Sequence, residues 1–229
     1  MKVTTMNDQK RHRFLWKILY TILRPYIILK FAYTHDKASR EEPCLIISNH
    51  VSNWDPFLLA MSFKDQHISY VASEHLFRMG WLSKLIQWLV AVIPRRKGST
   101  GMDTAMTCLR QLRAGQSVCI FGSGETTWDG LTVPVLPATA MLAQISGATL
   151  ITYRIEGGYG VQPRWTDKLR KGSMTGGVLQ VIEPEEYAAM SNEELLAAIE
   201  KELFVDEGVA DGVFESGKKA EYLERAMYV

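Results

Sequence analysis

The residues with the clearest chemical content are His50 and Asp55, set in the run Ser48-Asn49-His50-Val51-Ser52-Asn53-Trp54-Asp55-Pro56. Asp55 followed by proline reads as the N-cap of a helix with Pro56 at its first position. A turn of this length can fold back and set the Asp55 carboxylate against one nitrogen of the His50 ring. The other nitrogen is then free to take a proton from a hydroxyl. Such positioned base catalysis contributes about 10²–10⁴ in rate, so the pair supplies part of a group-transfer barrier and orientation must supply the rest. The same residues also fit a blander arrangement, in which Asp55 only caps the helix and His50 is a hydrogen-bonded loop residue.

That chemistry needs a strand ending just before His50 and a helix starting near Asp55. Short apolar or β-branched runs at 44–48, 68–72, 91–94, 117–121, 149–155 and 178–182 alternate with helical patterns at 56–63, 100–114, 137–146 and 185–203. The alternation predicts one α/β domain with a largely parallel or mixed central sheet flanked by helices. Ligands gather at strand ends in such sheets, which is where His50 lies. A length of 229 residues suits one domain with a substantial core. The stretch from Gly157 to Gly177, rich in Gly, Pro, Arg and Trp, reads as a long surface loop.

The N-terminal region is set apart by composition. On a helix, Lys10, Arg13, Lys17, Thr21 and Arg24 form a narrow polar stripe, with Phe14, Leu15, Ile18, Leu19, Ile22 and Leu23 around it. This predicts either an anchor lying in a membrane interface or an amphipathic helix packed on the core. Pro25 should end or kink it, and no uninterrupted apolar run reaches spanning length. A second apolar segment, Trp81 to Val92, fits a lipid tunnel or core packing. The expected organisation is interfacial helices over 1–35, the chemical domain over 36–205 and a helical extension over 206–229.

With Lys+Arg 26 against Asp+Glu 25, the net charge of +1 gives no bulk attraction to nucleic acid. Cys44, Cys108 and Cys119 lack CxxC spacing and suit reduced, buried thiols in a cytosolic compartment. The first residues show no secretory-signal pattern. No metal is expected, because the histidines at 12, 35, 50, 67 and 75 show no ligand spacing. Ser123 is not flanked as a nucleophile elbow requires, since Phe121 and Glu125 stand where glycines belong. Gly122-Ser123-Gly124 also lacks the lysine of a P-loop and the third glycine of a dinucleotide fingerprint.

Three segments in order resemble the conserved blocks of the glycerolipid acyltransferases, the 1-acylglycerol-3-phosphate acyltransferase group. Asn49 to Pro56 is similar to the first block, NHxSxxDP, in full. Ile93-Pro94-Arg95-Arg96-Lys97-Gly98 resembles the second, an apolar strand running into an arginine. Phe121 to Gly130 resembles the third, FPEGxRSxxG, in length and framing. The resemblance implies transfer of a fatty acyl group from acyl-CoA or acyl-carrier protein to a hydroxyl of a lysophospholipid such as 1-acylglycerol-3-phosphate, in phospholipid biosynthesis. It implies His50 as the base, Asp55 as its partner, and Asn49, Arg95 and Arg96 in substrate binding, with the guanidinium groups on the acceptor phosphate. Lys97 is a further candidate there, and the basic trio also fits a solvated turn. No cofactor is implied beyond the thioester co-substrate. The implied partners are a membrane surface, on the cytoplasmic face as a peripheral or monotopic protein, and acyl-carrier protein if that is the donor.

The third block departs from the pattern: Gly122 replaces proline, Ser123 replaces glutamate and Thr126 replaces arginine, while Gly124 is kept. Ser123, Gly124, Glu125 and Thr126 remain expected substrate contacts, because backbone N–H groups and hydroxyls after a strand can cradle an anion. A plain turn is the other reading. Arg154 and Arg164 are further sources of positive charge near the acceptor. The departures leave room for an alternative, a catalytically weakened, lipid-binding homologue.

Overall fold

A computed structural model describes residues 6–38, 40, 43–73, 92–95, 101–164, 166 and 168–207. The segment 81–91, Arg96, Lys97, Trp165 and the predicted C-terminal helix lie outside the described residues. Helix α1 (Met6–Phe31) leads into a short strand β1 (Thr34–His35), then β2 (Cys44–Ser48), α2 (Asp55–Ser62), β3 (Ile68–Ser73) and β4 (Val92–Arg95). After these come α3 (Met102–Arg113), β5 (Ser117–Phe121), α4 (Pro137–Ser146), β6 (Thr149–Glu156) and α5 (Gly158–Val161). Strand β7 (Thr175–Ile182) and helices α6 (Pro184–Tyr187) and α7 (Asn192–Leu203) complete the described order.

The strands form a seven-stranded sheet in the order β1-β7-β6-β2-β5-β3-β4. Pairing is parallel throughout except between β6 and β7, so the sheet is mixed. In the central strand β2, alternate residues feed opposite cores. Cys44 and Ile46 join Cys119, Ile151, Tyr153 and Ile155 against Tyr20, Ile27 and Phe31 of α1 and Leu58, Leu59 and Met61 of α2. Leu45 and Ile47 join Val118, Leu150 and Ile182 against α3, α4 and α7. Both faces are covered, which is why the strand reads as a continuous apolar run with no polar alternation.

Three expectations need correction. Helix α1 continues through Pro25 to Phe31, so the proline does not end it, and Ala32 just beyond is the one described non-glycine residue with positive φ, at 43°. The buried anchors Ile27 and Phe31 beyond the proline hold the helical course that propensity alone would abandon. Helix α2 begins one residue early, with Trp54 as N-cap and Asp55 inside the first turn. The helices expected over 185–203 are present as α6 and α7, and Ser191 starts the second with a capping box to Glu194. The supposed surface loop contains α5 and the start of β7, and Gly158, Gly160, Val161, Pro163, Thr166 and Met174 within it are buried.

Candidate active site

Strands β2, β4, β5 and β6 run in one direction, so the residues that follow their carboxyl ends converge on one edge of the sheet. The register pairs Ser48 with both Phe121 and Tyr153, which brings His50 beside the loop that leaves β5. Ligand crevices form along this edge in open α/β sheets.

The loop between β2 and α2 closes around the Asp55 carboxylate, which is fully buried. Its Oδ2 lies 2.6 Å from His50 Nδ1 and accepts from the N–H groups of Val51 at 2.7 Å and Ser52 at 3.0 Å. Oδ1 accepts from the Ser52 hydroxyl at 2.7 Å and the Ser52 N–H at 3.0 Å. The carboxylate therefore faces back over the preceding loop and does not cap its own helix. A carboxylate in that place accepts from an Nδ1–H, the tautomer in which Nε2 is the nitrogen that can take a proton. The His50 side chain keeps 19% of its surface exposed, and the ring stacks on Phe121 at 4.4 Å between centroids. Thr127 donates its N–H to the His50 carbonyl at 3.1 Å, which fastens the β5 loop to the same residue.

Arg95 and Gly124 also meet. A Cβ placed on Gly124 would lie 1.8 Å from Arg95 Nη1, so only glycine lets the guanidinium sit there, and its φ of 71° reinforces that demand. Among the described residues no carboxylate pairs with Arg95, which leaves its charge available to an anion.

Other expected contacts fall elsewhere. Asn49 is buried, with Nδ2 donating to the Ile155 carbonyl at 2.7 Å and Oδ1 accepting from the Ile155 N–H at 2.8 Å, so its carboxamide braces β2 against β6 and cannot meet substrate. The anion cradle is largely filled from within. Gly122, Gly124 and Thr127 donate their N–H groups to Ser48, Phe121 and His50 carbonyls. The Ser123 hydroxyl donates to the Glu125 carbonyl at 2.7 Å, and that of Thr127 to Leu131 at 2.6 Å. Glu125 is exposed and Thr126 half-buried, both on the loop beside His50. Arg164 stacks over Trp128 at 3.9 Å and donates to the Thr126 carbonyl, packing its loop onto the third block. Arg154 pairs with Glu156 at 2.6 Å on the wall of a separate cavity of about 280 Å³, so its charge is already matched. Arg96 lies outside the described residues.

Sequence reasoning gives no individual role to Ser52 or to the Phe121 ring, and it reads Thr127 only as part of the run that could cradle an anion. Ser52 stood inside the first block, where a hydroxyl three residues before a buried carboxylate was the available signal. The three cysteines are free and buried, and burial raises each thiol above its usual value, as expected of unreactive groups.

Comparison with known proteins places the chain in a family. Residues 30–156 match the family model described as Acyltransferase. The chain is similar to the chloroplastic 1-acyl-sn-glycerol-3-phosphate acyltransferase BAT2 of Brassica napus, 23% identical over 176 residues. That match covers 76% of this chain and 49% of the relative, so the chain spans about half the length of that protein. Among solved structures it is similar to the 1-acyl-sn-glycerophosphate (LPA) acyltransferase PlsC from Thermotoga maritima, with a TM-score of 0.63 and 17% identity over 84% of this chain and 75% of that one. At that identity the likeness is one of fold.

Proposed function

Because this chain belongs to the acyltransferase family, we propose that it moves a fatty acyl group from a thioester, acyl-CoA or acyl-carrier protein, to a hydroxyl of a lysophospholipid such as 1-acylglycerol-3-phosphate. The observation that carries the reading is the His50 ring held at 2.6 Å by a buried carboxylate while the side chain still reaches solvent. His50 Nε2 takes the acceptor's hydroxyl proton as the oxygen attacks the thioester carbonyl. When the tetrahedral intermediate collapses, the C–S bond breaks and the imidazolium returns its proton to the departing thiolate. Asp55 stabilises the charge on the ring between those steps. No covalent enzyme intermediate is needed, and orientation of the two substrates contributes about 7–11 kcal/mol at its limit. The Arg95 guanidinium, with no carboxylate partner among the described residues, is assigned to the acceptor phosphate.

A membrane surface is the proposed setting, with the protein peripheral on its cytoplasmic face. At 100° per residue α1 divides into three sectors. Tyr20, Ile27 and Phe31 are buried against the sheet, and Arg13, Lys17 and Arg24 are exposed beside them. Phe14, Ile18, Ile22, Tyr26 and Leu29 occupy the remaining sector at exposures from 45% to 84%. An exposed apolar stripe bordered by cations suits a helix lying in an anionic interface. No described helix is long and apolar enough to cross a membrane.

The test is to incubate the full chain with each thioester and a panel of lysophospholipids on vesicles, beside His50→Ala. Acylated lipid from the wild type alone supports the proposal. Lipid binding without product from either protein supports the weakened homologue, which the Ser123 hydroxyl locked into its own turn favours. Free fatty acid without acylated lipid would assign thioester hydrolysis.

A further inference from the structure

Glu207 follows α7 and is 8% exposed, so its carboxylate is buried away from any substrate. One oxygen accepts from the N–H of Gly158 at 3.1 Å, the other from those of Tyr159 at 2.7 Å and Gly160 at 3.3 Å. These are the donors that a helix start leaves without partners, and they belong to α5. The backbone around Glu207 is tied elsewhere. Its own N–H donates to the Gly130 carbonyl at 3.0 Å, Thr132 donates to the Val205 carbonyl at 3.0 Å, and Val205 returns a bond to the Thr132 hydroxyl at 2.8 Å. The strap 205–207 therefore clasps the loop after β5 with its main chain and the α5 turn with one side chain.

Both clasped pieces press on the neighbours of His50. A Cβ on Gly158 would fall 2.4 Å from Val51 Cγ2, so the turn sits directly on Val51, whose N–H is a donor to Asp55. On the other side, Thr127 is bonded to the His50 carbonyl, and three residues later Gly130 lies under the Tyr159 ring. The two supports of the histidine meet at Glu207.

We propose that Glu207 is a positioning residue for acyl transfer: by joining the 158–160 turn to the 127–132 loop it fixes the backbone on both sides of His50 and keeps the ring aligned on Asp55. The kinetic consequence rests on the acyltransferase reading, whereas the link to His50 does not. Burial raises the Glu207 carboxyl above its usual range despite its N–H donors. Ionisation of the buried carboxyl therefore opposes folding as pH rises above the ordinary carboxyl range, and the three N–H donors offset part of that cost.

The test uses the full chain with Glu207→Ala, Glu207→Gln and Gly158→Ala, the last pushing on Val51 from the far end of the same link. The readouts are kcat and acceptor KM, the thermal midpoint, and the nitrogen and proton resonances of the His50 ring. Misplacement by an ångström can cost about 10²-fold, so kcat should fall by about 10- to 100-fold in Glu207→Ala and Gly158→Ala with acceptor KM moving less than about threefold. Glu207→Gln, which keeps one accepting oxygen, should fall between these variants and the wild type. Unchanged kcat and unchanged His50 resonances in folded variants would overturn the proposal, as would a loss confined to KM. If the wild type shows no acyl transfer, the resonances still decide: shifted signals uphold the link and unmoved ones refute it. If Glu207→Ala does not fold, the other two variants carry the same comparison.

Discussion

Replacing Asp55 by asparagine changes the charge of the buried group while nearly keeping its shape. The carboxylate holds His50 Nδ1 and the Val51 N–H on one oxygen and the Ser52 hydroxyl on the other. The serine hydroxyl can turn and accept from an amide NH2, so the asparagine settles with its oxygen toward His50 and the loop survives. Exchanging the bifurcated bond from the Ser52 N–H for an amide donor costs about 1–3 kcal/mol, which a domain of this size tolerates. What disappears is the attraction between carboxylate and imidazolium. At about 4 Å between charge centres and an effective dielectric of about 20, that attraction is about 4 kcal/mol. Each 1.36 kcal/mol is about tenfold in rate, so kcat should fall about 10³-fold. The charge develops on the ring only during reaction, so kcat and kcat/KM should fall together and acceptor KM should stay nearly constant. The assay is steady-state acylation of 1-acylglycerol-3-phosphate by acyl-CoA, with near-ultraviolet circular dichroism confirming the fold. A loss below about tenfold, or one seen only in KM, would refute an imidazolium on His50 and reduce Asp55 to a support for the turn.

Gly124→Ala should displace the Arg95 guanidinium, and loss of charge-assisted bonds should raise KM for a phosphate-bearing acceptor by about 10- to 100-fold; an unchanged KM would remove Arg95 from the phosphate site. His67 stacks on His12 and bonds to it at 3.2 Å, and burial, then His12 and Arg13, hold its pKa down to about 4. A depressed folded-state value means stability is present above the unfolded value near 6.5 and is lost as pH falls through 4, by up to about 3 kcal/mol. Urea midpoints at pH 7 and pH 4.5 should therefore differ less in His67→Gln than in the wild type, and equal differences would contradict this. Gly176→Ala would set a Cβ 2.0 Å from Tyr33 Oη and 2.6 Å from Tyr153 Oη. It should break the buried Tyr33, Tyr153 and Ser62 hydroxyl chain at about 1–3 kcal/mol per orphaned group, lowering the thermal midpoint by several degrees; an unshifted midpoint would show that β1 yields freely.

The sequence carried most of the central sheet because its strands are buried on both faces. Cys44 to Ser48 and Ser117 to Phe121 are runs that only such a strand explains, and the structure keeps both bounds. The geometry around His50 was legible for a related reason: Asp55, Val51 and Ser52 close on each other within one short turn. Features made by distant partners were not. β1 is two residues long and exists through pairing with β7 far along the chain. The brace from Asn49 to Ile155 spans 106 positions. Gly157-Gly158 and Gly176-Gly177 looked like loop composition, whereas both mark close approach of another chain segment. Pro25 does not end α1 because tertiary anchoring outweighs local propensity.

The Asn49 carboxamide exchanges both a donor and an acceptor bond with the main chain of Ile155, supplying from one side chain the two bonds that a continuing parallel strand would give that residue from its backbone. A side chain thus impersonates a peptide unit at the point where the main chain has already turned away, and the ladder runs one rung beyond the strand. The backbone at His50 is released from the sheet while its root stays sewn to it. Aspartate at this position would oppose an acceptor to the Ile155 carbonyl, and leucine would leave both groups stranded, so the requirement for an amide comes from hydrogen-bond polarity and not from size.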